Sequence, residues 1–299
     1  MKTHHLISDL IETLAAHKST VVGEVKASWA RCDFSLSEPQ LVQSYVRDRN
    51  AGVDYLNKTL ASTINAAQPR FVVKFGGVNA HQRPYVARNS ANVATHAGSN
   101  PTEQCELADL LCVTVFVDSK KDMIATQAAF FQAKKDDAID NQTQRWLYDF
   151  DNEFDYAASS FWEKTLSNNP ARRMPEWNEQ RTSAFQYLIL KKDKVTARLS
   201  PWSVEHQHNF EFFMYRLMTF SAGKSYHVND AASGSWSSIV NDVLRMGFNK
   251  MGGKARNSPG LDELVDYFND FLDHDVYFLE RNDPGIPIIL AIIQDTKQG

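Results

Sequence analysis

Two apolar runs joined by a polar bridge narrow the possible folds of this chain more than any other stretch. Residues 107–117 read LADLLCVTVFV, residues 123–133 read MIATQAAFFQA, and Asp118-Ser119-Lys120-Lys121-Asp122 lies between them. A short polar connection between β-prone runs is a hairpin signal. The stretch from Glu106 to Lys135 is therefore read as two antiparallel strands.

The rest of the chain frames that hairpin. Ser37-Glu38-Pro39 has the form of a helix start, and Leu41, Tyr45, Val53, Leu56, Leu60 and Ile64 follow at close to helical spacing until Pro69. Residues 70–75 read as a short strand ended by a turn at Gly76-Gly77, and residues 78–102 as an irregular surface segment. A short helix is expected around Trp146, Leu147 and Tyr148. Residues 185–190 and 195–199 read as a second hairpin, and residues 203–222, 235–251 and 261–274 as amphipathic helices. Gly252-Gly253 is a helix stop, and residues 286–293 form an apolar run suited to a closing strand. The expected class is α/β (α+β). Residues 1–200 would form a core with N-terminal helices, and residues 201–299 a helical C-terminal region packed on it or extending it.

Composition removes several function classes. The 299 residues are 43% hydrophobic and 23% charged, ordinary for a globular chain. No apolar run is long enough for a membrane span. Asp9 and Glu12 interrupt the N-terminal apolar pattern, which suits an amphipathic helix better than a signal peptide. Cys32, Cys105 and Cys112 are odd in number and contain no CxxC pair, so neither a disulfide framework nor a zinc knuckle is indicated, and a reducing cytoplasm is expected. The net charge of −4 is not that of a strongly basic nucleic-acid binder. Local basic groups exist at Arg172, Arg173 and Arg181, at Lys191, Lys192, Lys194 and Arg198, and at Arg245, Lys250, Lys254 and Arg256. A solvated face is the simpler explanation for each.

The chemistry lies in the polar residues of the first hairpin. Asp109 interrupts an apolar strand, where an unpaired carboxylate costs several kcal/mol. Gln132 and Lys134 are two apart on the partner strand and so share a face. A turn centred between Lys120 and Lys121 puts Asp109 opposite a residue near 132, within one position. Asp109, Gln132 and Lys134 then converge, with Glu106 at the strand entrance. Oxygen ligands of this kind suit a hard divalent cation such as Mg²⁺ or Mn²⁺, and an adjacent lysine suits the positioning of a water.

The pattern Glu106-Leu-Ala-Asp109, apolar strand, turn, Phe131-Gln132-Ala133-Lys134 resembles the active-site core of the PD-(D/E)xK nuclease superfamily, the restriction-endonuclease-like fold. Asp109 matches that family's aspartate and Lys134 its lysine. Gln132 stands where Asp or Glu is usual, a replacement also found in Mrr-type restriction endonucleases, and Glu106 would supply the missing charge. Gln144-Arg145-Trp146-Leu147-Tyr148 and Gln186-Tyr187-Leu188 extend the resemblance to uncharacterised bacterial proteins over about residues 100–200.

What the resemblance implies is a mixed β-sheet core flanked by helices. It also implies Mg²⁺-dependent phosphodiester hydrolysis, with Asp109, Glu106 and Gln132 as metal ligands, Lys134 as the catalytic lysine and Lys135 on the nucleic acid. DNA is the implied substrate and restriction or antiviral defence the implied setting, with protein partners or a homo-oligomer compatible with it. The competing expectation is an inactive nuclease-fold subunit that binds nucleic acid or scaffolds a complex.

Other motifs are weaker. Gly223-Lys224-Ser225 ends like a P-loop, but Met218 occupies the position of its first glycine. His206 and His208, two apart in an expected helix, would diverge. Asp149, Asp151, Glu153 and Asp155 alternate like a calcium loop without its glycine and distal glutamate, and read more simply as a solvated acidic loop.

Overall fold

In a computed structural model of the chain, the described residues are 2–79, 84–88, 104–139, 142–158, 161, 169–227, 230, 234–248, 278–280 and 286–297. Helices α1 (Lys2–Ala16), α2 (Lys18–Ala30) and α3 (Glu38–Arg47) open the fold. At the start of α3 the Ser37 amide donates to Gln40 Oε1 at 3.2 Å, with Pro39 in the first turn. The helical pattern expected to run on from Leu41 breaks before α4 (Gly52–Leu56). Gly52 sits at φ +43°, where an added Cβ would lie 1.7 Å from the Tyr45 carbonyl oxygen, so the chain changes direction at a residue without one. A π-helical turn (Asn57–Ala61) leads into α5 (Ser62–Ala67).

Strand β1 (Phe71–Asn79) follows. Gly76-Gly77 is not the expected turn: Gly76 pairs with Leu290 and Gly77 with Ile289, so both continue the strand. The partner ladder overrides the local turn preference of glycine. Next come β2 (Tyr85–Arg88), β3 (Gln104–Glu106), β4 (Leu110–Val117), β5 (Met123–Lys134), α6 (Gln142–Asp149), β6 (Glu153–Tyr156) and β7 (Ala171–Arg173). A short α7 (Arg181–Ala184) precedes the second hairpin, β8 (Phe185–Lys191) and β9 (Lys194–Leu199). Then β10 (Gln207–Asn209), α8 (Phe210–Met218), β11 (Lys224–Ser225), α9 (Trp236–Phe248), β12 (Phe278–Glu280) and β13 (Ile288–Asp295) complete the described elements.

The helix expected over 203–222 is shorter than its apolar spacing suggested, because residues 207–209 pair with β9 as an edge strand. The helix expected over 261–274, the stop at Gly252-Gly253, the basic residues Lys250, Lys254 and Arg256, and most of 78–102 lie outside the described residues.

The main sheet is mixed, in the order β10-β9-β8-β5-β4-β13-β1-β12, with β11 on a free stretch of β5. The final apolar run becomes β13, parallel to β4 and antiparallel to β1, in the middle of the sheet. Residues on either side of position 200 thus share one sheet. A smaller antiparallel sheet, β3-β2-β6-β7, lies beside it. One face of the main sheet packs on α1–α5 and α8 through Leu14, Val25, Leu41, Leu60, Phe213 and their neighbours. The other packs on α6, α9 and the small sheet through Tyr148, Ile239, Val243 and Phe154. Both faces being covered explains why β4 is apolar at nearly every position.

Candidate functional site

The hairpin register places the site. Leu110 pairs with Phe131 and Leu111 with Phe130, so Asp109 lies one step beyond the ladder, level with Gln132 as expected. Alternation then sorts the side chains. Leu110 and Phe131 enter the core under α3 and α8, while Leu111 and Phe130 enter the core under α6 and α9. Asp109, Gln132 and Lys134 belong to the second set, on one face at one end of the sheet.

Each has a defined environment. Asp109 is 4% exposed, and its Oδ2 accepts the Ala133 amide at 2.7 Å, standing in for a main-chain acceptor where β4 has not yet begun. Gln132 is fully buried. Its Nε2 donates to the Glu106 carbonyl at 3.0 Å and the Leu107 carbonyl at 3.3 Å, while its Oε1 has no hydrogen-bond partner. Lys134 is 8% exposed and donates to Gln144 Oε1 at 3.0 Å.

Glu106, in β3 opposite Tyr85, meets Gln132 through its main-chain carbonyl, and its side chain is half-buried. Lys135 is not brought to this cluster. It follows Lys134 on the opposite face, with its ammonium on the Phe34 carbonyl at 3.0 Å and its amide on Glu38 Oε1 at 2.7 Å.

Two residues of α6 complete the surroundings. Gln144 and Tyr148, four apart and so on one helical face, reach Lys134 and the Leu107 carbonyl respectively, the latter at 3.0 Å. Burial, with the nearby Asp109 charge second, raises the Tyr148 phenol well above its ordinary range, so it stays a donor. Gln144 and Tyr148 were visible in sequence as a glutamine and a tyrosine one helical turn apart, but their targets depend on how α6 docks.

Arg181 fixes that docking. It is fully buried and donates to the Leu147 carbonyl at 2.9 Å and the Tyr148 carbonyl at 3.0 Å, at the C-terminal end of α6. Burial lowers its guanidinium to about 10.

The other sequence motifs have structural uses. Arg172 and Arg181 are not a solvated face: Arg172 pairs with Asp242 at 2.7 Å inside the protein, and of that group Arg173 alone is exposed. Nor are Asp149 and Asp151 a solvated loop. Asp151 accepts from Arg88 with both side chains fully buried, and Asp149 accepts from Tyr187 at 2.8 Å and the Trp202 amide at 2.9 Å. Gly223-Lys224-Ser225 leads into β11 rather than a phosphate loop. His206 and His208 lie at an edge strand with ring centroids 6.1 Å apart, not in a helix.

A cleft of about 440 Å³ includes Arg173, Lys224, His227 and Trp236 in its wall. It adjoins the Gln127–Ala128 part of β5, away from Gln132 and Lys134. Among the described residues no three His, Cys, Asp or Glu side chains cluster as a cation site. No helix among them is long and apolar enough to cross a membrane. Compared with known proteins, the chain matches no family model, no curated protein and no solved structure.

Proposed function

We propose that this chain is a metal-dependent nuclease of the restriction-endonuclease-like class, acting on DNA. What supports the reading is that strand register and alternation set Asp109, Gln132 and Lys134 on one face at the ends of β4 and β5, in the order of the superfamily's motif. The residues present suit a hard cation: Asp109 offers a carboxylate, and Gln132 offers a buried oxygen that nothing in the protein engages. Glu106 adjoins them. Bound there, Mg²⁺ or Mn²⁺ would supply Lewis acidity toward a phosphate oxygen. Lys134, held by Gln144, would position the attacking water beside it. The implied setting in bacterial restriction or antiviral defence rests on the resemblance.

The test is incubation of purified protein with plasmid and Mg²⁺ or Mn²⁺, beside Asp109→Ala and Lys134→Ala. Cutting that needs the metal and disappears in both variants is the expected result. Cutting that survives in the variants refutes the assignment.

One observation favours the second reading, a non-catalytic nucleic-acid-binding or scaffolding subunit. Asp109 and Lys134 each have an internal structural partner, Ala133 and Gln144, and little exposure. DNA retention without cutting in either metal would support that alternative.

A further inference from the structure

The contacts of Gln132 determine which chemistry is allowed at this position. Its Nε2 lies 3.0 Å from the Glu106 carbonyl oxygen and 3.3 Å from that of Leu107, and its side chain is wholly buried. Main-chain carbonyls only accept, so the group facing them must donate, and an amide nitrogen supplies two protons for two acceptors. The orientation of the amide follows: nitrogen toward the carbonyls, Oε1 turned away and unpartnered. A carboxylate at 132 would set an anionic oxygen against both carbonyl oxygens without water to screen them.

We propose that the Glu106 and Leu107 carbonyls select an amide at position 132, so that this site is built around a neutral oxygen ligand and rejects the acid usual there in the nuclease superfamily. Gln132 is on this account a required part of the site rather than a lapsed acid. Beside Asp109 and Glu106, an acid at 132 would add a third carboxylate near a single lysine in a dry place. The carbonyls concerned belong to the segment that carries Asp109, and Tyr148 donates to the same Leu107 carbonyl. The selection therefore ties the ligand at 132 to the placement of the carboxylate at 109. The functional meaning rests on the nuclease reading, while the selection itself is tested without it.

The experiment compares thermal unfolding of the native chain, Gln132→Glu and Gln132→Met from pH 5 to pH 8 without added metal. In Gln132→Glu the protonated carboxyl can donate to a carbonyl and the ionised one cannot, so its folded pKa lies above the unfolded value of about 4.3. Stability is then lost as pH rises through that interval. The melting temperature of Gln132→Glu should approach that of the native chain at pH 5 and fall several degrees further below it by pH 8. Gln132→Met should show a deficit that does not change with pH.

A Gln132→Glu deficit that is flat with pH overturns the proposal, as does a Gln132→Met chain as stable as the native one, which would show that the two carbonyls need no donor. Failure of Gln132→Glu alone at pH 8 supports it. The plasmid assay adds a separate readout: where the native chain cuts, Gln132→Glu should cut more slowly at pH 8, and equal or faster cutting overturns the functional half. If the native chain does not cut, the nuclease reading fails while the pH series still decides the selection.

Discussion

Replacing Gln144 by leucine removes the acceptor that holds the Lys134 ammonium and leaves the helix otherwise intact, since Leu and Gln have similar helix propensity and size. The bond is 3.0 Å long, and its partners are 8% and 6% exposed, so water cannot readily take over. A hydrogen bond to a charged group is worth roughly 1.5–3 kcal/mol, and a buried ammonium left short of an acceptor sits in the upper part of that range. A loss of about 2 kcal/mol is expected, near 4 °C in melting temperature for a chain of this size.

Gln144 makes other contacts as well, so the pair term needs a double-mutant cycle in urea with Lys134→Met. Once Lys134 is gone, Gln144→Leu should cost at least about 1 kcal/mol less than it does in the native background. Coupling indistinguishable from zero, within about 0.5 kcal/mol, would refute the claim that Gln144 holds the lysine.

Arg181→Met should destabilise the chain by about 3 kcal/mol, since it strands two buried carbonyls at the end of α6, and amide exchange in α6 should accelerate more than in β4. Gly52→Ala should cost about 3 kcal/mol or more in urea unfolding, because its Cβ would overlap the Tyr45 carbonyl at a positive φ; a change below about 1 kcal/mol would contradict that backbone. Burial, with Arg216 and then His206 adding to it, pushes the His208 imidazole down to about 4, so an NMR titration should find it neutral at pH 6. Its folded pKa lies below the unfolded value, so its contribution is present above about pH 6.5 and is lost as pH falls toward 4, a loss that His208→Gln should remove.

The hairpin was legible because both strands are strongly apolar. A count from between Lys120 and Lys121 matches the ladder from Leu110 to Phe116, a one-residue bulge at Phe116/Val117 having moved the pairing off the midpoint of the bridge at Lys120. This is why Asp109 came out level with Gln132. The contacts that give each side chain its job were not legible in the same way. Gln132 finds its acceptors on a segment twenty-odd residues earlier, and Lys134 finds Gln144 through a helix whose seat is fixed by Arg181. The arginines misled for a related reason: composition alone cannot separate a solvated Arg173 from an internal Arg172 whose counter-charge, Asp242, lies on a distant helix. Gly76-Gly77 misled because glycine marks both turns and close strand packing, and only the ladder to Leu290 and Ile289 separates them.

The seat of β13 has a consequence for how the chain reaches its native state. Its neighbours β1 and β4 come from the first 117 residues, while β13 itself begins at Ile288, so the middle of the sheet waits for a segment made far later. Until it arrives, two apolar strands face each other across a missing rung, with their amides and carbonyls unpaired. Such distant pairing slows folding and exposes sticky edges meanwhile. Fragments ending near residue 200 should therefore aggregate, and supplying residues 280–299 as a separate peptide is the direct route to their rescue.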